Sequence, residues 1–132
     1  MRILVTGSRH YSDYDYFSKM MNQFCFRPGF VTDTIIHGAA QGGDTMAGRW
    51  VRETNSMRNH DPVITEIEEP AKWRVHGKAA GPIRNKLMLD KHKPDVVLAF
   101  PGGKGTANMT KLAKWYGVPV VTIGHYGFEA EM

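Results

Sequence analysis

Five consecutive apolar residues, Val96-Val97-Leu98-Ala99-Phe100, run into Pro101-Gly102-Gly103-Lys104-Gly105-Thr106, and this junction constrains the fold more than any other part of the chain. An apolar run without alternation predicts a strand covered on both faces, because a strand with one wet face alternates apolar and polar residues. Beyond the glycines, Met109, Leu112, Ala113 and Tyr116 recur at helical spacing, which predicts a helix from about Thr106. Strand, glycine turn and helix start together form a concave corner. There the main-chain N–H groups and the positive end of the helix face one space, an arrangement suited to an anion. Glycine leaves that backbone uncovered by side chains. A phosphate-bearing ligand is therefore expected on Gly102, Gly103, Lys104, Gly105 and Thr106.

Strands and helices alternate through the rest of the chain. Residues 3–6 predict a first strand, and Ser12 is placed to cap a helix with Tyr14, Phe17, Met21 and Phe24 on one face. Residues 34–37 predict a second strand, followed by a glycine-rich stretch to Asp44 and a helix with Met46, Ala47, Trp50 and Val51 facing inward. Residues 62–67 read as a third strand, and residues 68–80 have no clear period and read as a long loop. Pro82 suits a first helical turn and opens a helix through about Asp90. Residues 95–100 form the fourth strand, Gly117 ends the next helix, and residues 119–123 form a fifth strand. The remaining tail is short, with Tyr126 and Phe128 available for packing or a subunit contact. About five strands alternating with helices predict an α/β fold: a doubly wound parallel sheet with right-handed crossovers, one domain over residues 1–132. Ligands of such sheets collect at the carboxyl ends of the strands, where the strand order switches. Every glycine-bearing loop of interest leaves such an end.

Composition narrows the setting. No apolar run approaches the roughly 20 residues that span a bilayer, and the chain enters its first strand at once, leaving no room for a signal peptide. A single cysteine, Cys25, falls in an apolar helical stripe and reads as inert core. Together these predict a cytoplasmic protein without membrane contact. The net charge of +4 favours anionic partners. The basic residues are scattered, with no run of five, which argues against a nucleic-acid arm.

Three further loops carry candidate chemistry. Gly7, Ser8 and Arg9 follow the first strand: a tight turn, a hydroxyl donor and a guanidinium that can fork onto a phosphate. The plain alternative is an ordinary turn with a solvated arginine. After the second strand, Gly38 and Asp44 bracket small residues, and Asp44 either reaches a ribose hydroxyl or simply caps its helix. The small residues also let helix and strand pack closely, and His37 reads better as a satisfied edge or core histidine than as a functional group. The long loop carries Trp73, Lys78 and Gly81 ahead of Arg84 and Asn85. Trp73 either stacks on a base or, the favoured reading, seals the core. Arg84 is a cation early in a helix, where it opposes the dipole, so a local anion is expected beside it. The 102–106 turn is not a Walker A loop, because Gly105 separates Lys104 from Thr106, and it lacks the Gly-x-Gly-x-x-Gly order of dinucleotide folds. NTP hydrolysis and ordinary nicotinamide binding are disfavoured. Scattered histidines without paired cysteines predict no metal site, no Gly-x-Ser-x-Gly is present, and no cofactor is expected.

With those residues in view, the chain resembles the SLOG superfamily, which joins the DNA-processing Smf/DprA proteins with the LOG phosphoribohydrolases. Within it the chain looks like the small YspA/YpsA-related branch of bacteria and their phages. The resemblance covers nearly the full length: Leu4-Val5-Thr6-Gly7-Ser8-Arg9, His37-Gly38-Ala39-Ala40 with Gly43-Asp44, Gly77-Lys78-Ala79-Ala80-Gly81-Pro82-Ile83-Arg84-Asn85 with Met88, and Phe100-Pro101-Gly102-Gly103-Lys104-Gly105-Thr106. It implies a Rossmann-like sheet of order 3-2-1-4-5, in which the loops after strands one and four share a pocket. It also implies binding of nucleotide-derived ligands, either nucleoside monophosphates or ADP-ribose-like molecules. In the family's hydrolases an arginine before the fourth strand and a glutamate after the glycine turn act on the N-glycosidic bond. Arg84 matches the arginine. Ala107-Asn108-Met109 stands where those enzymes have acids, and a methionine can neither stabilise a developing cation nor take a proton. The leading expectation is therefore a sensor or sequestering protein. Phosphate would sit on the 102–106 turn, with Arg9 and Arg84 as counter-charges and the sugar toward Ser8 and Asp44. One alternative is phosphoribohydrolase-like cleavage using Arg84 and Asp44. A second is single-stranded DNA binding, which needs a continuous basic groove with stacking aromatics. Family members often pair through helices beside the site, which makes a homo-oligomer compatible with the resemblance.

Overall fold

The uniformly apolar segments lie in the middle of a six-stranded sheet in the computed structural model of the chain. The structure describes residues 1–8, 10–40, 42–57 and 63–131. The strands are β1 (Arg2–Thr6), β2 (Thr34–His37), β3 (Thr65–Glu68), β4 (Val96–Ala99), β5 (Val120–Gly124) and β6 (Gly127–Glu131). The helices are α1 (Tyr14–Cys25), α2 (Gly43–Met57), α3 (Trp73–His76), α4 (Ala80–His92) and α5 (Lys104–Trp115), with a 3-10 turn over Gly77–Ala79 between α3 and α4. The sheet order is β3-β2-β1-β4-β5-β6, parallel throughout except for the antiparallel β6. This is the expected Rossmann-like order with one strand added. None of the helices among the described residues is long and apolar enough to cross a membrane.

Successive side chains of a strand point to opposite faces, and this divides the core into two layers. Ile3 and Val5 of β1 face α1 and α2 and meet Phe17, Met21, Phe24, Trp50 and Val51. Leu4 faces the other side, with Ile36, Val97 and Ala99 under Met88, Leu89, Met109 and Ala113 of α4 and α5. The Trp50 indole N–H donates to Asn22 Oδ1 at 3.0 Å, which satisfies its one polar group where it is buried.

Several expected boundaries move, each for a local reason. Asp13 rather than Ser12 caps α1, its carboxylate accepting from the Tyr16 N–H at 3.1 Å, where a negative charge also suits the helix dipole. α4 begins two residues before Pro82, because a proline in the first turn lacks only an N–H that would have no helical acceptor. The expected long loop contains α3 and the 3-10 turn, elements too short to show a hydrophobic period. The third strand begins at Thr65, and Pro62, where it was expected to start, lies outside the described residues. The tail, in which only packing or a subunit contact through Tyr126 and Phe128 was expected, contains a sixth strand, β6, an edge strand joined to β5 by the two residues His125 and Tyr126. The Tyr16 hydroxyl anchors this hairpin to α1: it donates to the Gly124 carbonyl and accepts from the Gly127 N–H.

Candidate functional site

β1 and β4 are neighbours in the sheet, yet the chain leaves them toward opposite edges, so a crevice opens beyond their carboxyl ends. Backbone bonds stitch its floor. Phe100 N–H donates to the Thr6 carbonyl, and Ser8 N–H to the Pro101 carbonyl, each at 2.9 Å. Gly43 N–H donates to the Ser8 carbonyl at 3.3 Å. The first turn of α2 passes so close to the β1 loop that a Cβ on Gly43 would lie 3.0 Å from Gly7 Cα. Close packing, the plain reading of these small residues, is therefore part of their role.

A cleft of about 530 Å3 occupies the crevice, within the size range of small-molecule sites. Gly7, Ser8, Asp44, Arg84, Asn85, Gly103, Lys104, Gly105 and Thr106 all line it, so residues far apart in sequence converge as expected. Two expected residues are not on this wall. Gly38 lies beneath the Arg84 guanidinium, which fills the place a Cβ would take. Gly102 lines a neighbouring cavity instead. Arg9 lies outside the described residues. His10, Lys78 and Asn108 also line the cleft. His10 directly follows the Gly-Ser-Arg loop, and that adjacency was the available signal for it.

The β4–α5 turn is the uncovered part of the wall. α5 starts at Lys104, two residues earlier than expected, so Lys104, Gly105 and Thr106 form its first turn. Gly103 is its N-cap and provides no side-chain cap. The first helical bond runs from Ala107 N–H to the Gly103 carbonyl at 3.0 Å, so the amides of Lys104, Gly105 and Thr106 have no acceptor within the helix. No acidic residue lies in this turn. Thr106 Oγ1 is buried without a hydrogen-bond partner among the described residues. A Cβ built on Gly103 would meet nothing within 4 Å, whereas one on Gly102 would overlap the Thr106 side chain.

The opposite wall is internally paired. Arg84 Nη1 donates to the Gly38 carbonyl at 2.6 Å, and its Nε donates to Asn85 Oδ1 at 3.0 Å. Asp44 is only 6% exposed and accepts from the Ala40 N–H at 3.3 Å. Burial pushes the Asp44 carboxyl above its ordinary range, partly countered by the positive charge of Arg84. Burial likewise lowers the Arg84 pKa, and the Asp44 charge raises it. The anion expected beside Arg84 is thus supplied, at least in part, by the protein itself. Asn85 Nδ2 reaches the Gly105 carbonyl at 3.2 Å and Asn108 Oδ1 at 3.0 Å, tying α4 to the first turn of α5.

Trp73 does not seal the core. It is 53% exposed, lines the cleft, and lies with its ring edge over Gly81. The four-residue α3 holds it against α4 from outside, leaving an aromatic face at the mouth of the cleft. His37, by contrast, is a satisfied buried histidine. Its Nδ1 accepts from the Ala39 N–H at 3.0 Å, so the neutral ring carries its proton on Nε2, 2.7 Å from Glu66 Oε2. His37, Glu66 and Glu68 bring ligand atoms within 4.8 Å of one another, but both imidazole nitrogens are already engaged. The geometry fits a hydrogen-bonded pair better than a cation site.

No family model matches the chain. It is similar to the Gene 61 protein of Mycobacterium phage D29, with 35% identity over 129 residues, covering 93% of this chain and 96% of that protein. The chain belongs to the family of the phage D29 Gene 61 protein.

Proposed function

We propose that this protein is a SLOG-like nucleotide-binding protein that holds a nucleotide-derived ligand in the cleft between the β1 and β4 loops. The observation that carries this reading is the uncapped start of α5. Three amides without helical acceptors, an unpartnered threonine hydroxyl and an open glycine N-cap together offer donors to a phosphate, and the helix dipole adds to them. Lys104 and Lys78 on the same cleft supply positive charge. The exposed face of Trp73 is suited to stacking a base, and Ser8 and Asp44 are suited to a sugar. Asn108 on the wall, in place of an acid, supports holding the ligand rather than cleaving it, as a sensor or sequestering protein would. A cytoplasmic setting is supported by this ligand class and by the single, buried cysteine.

Calorimetric titration with AMP tests the reading. Wild type is expected to bind, and Gly103→Asp to weaken binding at least about tenfold, because the new carboxylate occupies the phosphate's place and repels it. Absence of binding by AMP and ADP-ribose alike, or equal binding by the variant, would overturn it.

One observation favours a second reading. The buried Asp44 carboxyl, with its raised pKa and Arg84 nearby, has the character of a group that can hold and deliver a proton to a departing base. Release of free base from AMP, abolished in Asp44→Asn, would establish this activity. Turnover unchanged in that variant would remove Asp44 from it.

A further inference from the structure

A chain of hydrogen bonds runs from the β2 turn to α5 and leaves one donor over. The Arg84 guanidinium donates to the Gly38 carbonyl and, through Nε, to Asn85 Oδ1. Asn85, only 4% exposed, donates from Nδ2 to the Gly105 carbonyl and to Asn108 Oδ1. A guanidinium can only donate and a backbone carbonyl can only accept, so the orientation of the Asn85 amide is fixed at both ends. The Asn108 atom that faces Asn85 Nδ2 must then be the oxygen. Asn108 Nδ2 is left on the other side of the amide, and it donates to no group among the described residues.

Asn108 is half-buried on the cleft wall, with Gly103, Lys104, Gly105 and Thr106. Side chains of a helix lean toward its N-terminus, which carries the Asn108 amide back over the first turn of α5. Its sharing of one donor nitrogen with the Gly105 carbonyl agrees with that placement. The spare N–H groups of Asn108 therefore stand beside the amides of Lys104, Gly105 and Thr106 that have no helical acceptor. A strut between α4 and α5 needs only the oxygen. An aspartate would bond Asn85 equally well, but its second oxygen would confront an anion with negative charge. The amide keeps the strut and turns a donor toward the same space.

Resting on the nucleotide reading of the cleft, we propose that Asn108 is a specificity-determining residue. It donates to the ligand's phosphate, and the chain from Gly38 through Arg84 and Asn85 holds its amide in the donating orientation. A donor fixed in this way favours an acceptor-rich anion and disfavours an ammonium group.

Calorimetric titration of the full-chain Asn108→Asp variant with AMP and with ADP-ribose tests this. The variant keeps the acceptor for Asn85, so its urea midpoint should match wild type. Its affinity for whichever ligand wild type binds should fall at least about tenfold near neutral pH. Protonation makes the new carboxyl a donor again, so the deficit relative to wild type should shrink as pH falls toward about 5. Asn108→Ala serves as a second variant if the first does not fold. It should bind about threefold or more weakly, and the phosphorus NMR resonance of the bound ligand should shift between it and wild type. Equal affinity in wild type and Asn108→Asp, a deficit that does not change with pH, or a phosphorus resonance unmoved in Asn108→Ala would overturn the role of Asn108 and leave the nucleotide reading intact. Failure of wild type to bind either ligand would overturn both.

Discussion

Two glycine-rich turns leave the same edge of the sheet, one after β2 and one after β4, and they behave oppositely. Among the described residues of the first, the polar groups of Gly38, Ala39 and Ala40 find partners within the protein. Gly38 O takes Arg84, the Ala39 amide takes His37, the Ala40 amide takes Asp44, and the Ala40 carbonyl takes Thr45. In the second, the amides at the start of α5 have no helical acceptor and Thr106 Oγ1 has no partner. The two turns have similar composition. The difference lies in which backbone groups the rest of the fold has already used, and a ligand can only take donors that remain. The β2 turn braces the cleft, and the β4 turn is where an anion can gain most.

The largest effect that tests this contrast is loss of the brace. Arg84→Ala leaves the Gly38 carbonyl without its guanidinium donor and the buried Asp44 without the nearby positive charge, and should destabilise the protein by about 2–3 kcal/mol in urea unfolding. A loss below about 0.5 kcal/mol would show that Arg84 is not a brace. The same glycine substitution in each turn gives the next test. Gly38→Ala must displace the guanidinium lying on it and should cost about 1–3 kcal/mol, whereas Gly103→Ala enters open space and should stay within about 1 kcal/mol of wild type. Equal costs would erase the distinction drawn between the turns.

A sharper and smaller effect comes from filling the open turn with its own anion. Gly103→Asp supplies the missing cap and should leave stability unchanged or raise it by a few tenths of a kcal/mol, even as it removes nucleotide binding. Loss of binding accompanied by unfolding would not support that trade. The smallest effect is read in pH. The folded-state pKa of Asp44 lies above its unfolded value, so the folded chain holds the extra proton between the two and loses stability as pH rises through that window. The melting temperature of Asp44→Asn, relative to wild type, should therefore climb as pH rises from about 4, the ordinary carboxylate value, toward neutrality. A difference that is flat with pH would mean that the carboxyl is not perturbed by folding.

Some features were open to reading in the chain itself because they rest on local rules. The apolar run at 96–100, the helical spacing from Met109 to Tyr116 and the Gly117 stop each involve neighbours within a few turns. The missing features are of two kinds. α3 is four residues long, too short to show a helical period, and β6, although it alternates Phe128 and Ala130 with glutamates, spans only five residues, too few for the alternation to stand out from a tail. The others are long-range pairings. Arg84 meets Gly38 across 46 positions, and Asn85 meets Asn108 across 23. Nothing in the spacing of those residues says that they touch.

The layered α/β plan follows from the chain's pattern alone, because uniform apolar runs must be covered on both faces and alternating strands and helices can meet that demand in few ways. The same pattern gathers the glycine turns at one edge of the sheet. Which turn stays open is fixed later, by the long-range packing of the folded chain. Whether a backbone donor is spent or available depends on partners brought from distant parts of the chain, and that is a property of the assembled fold.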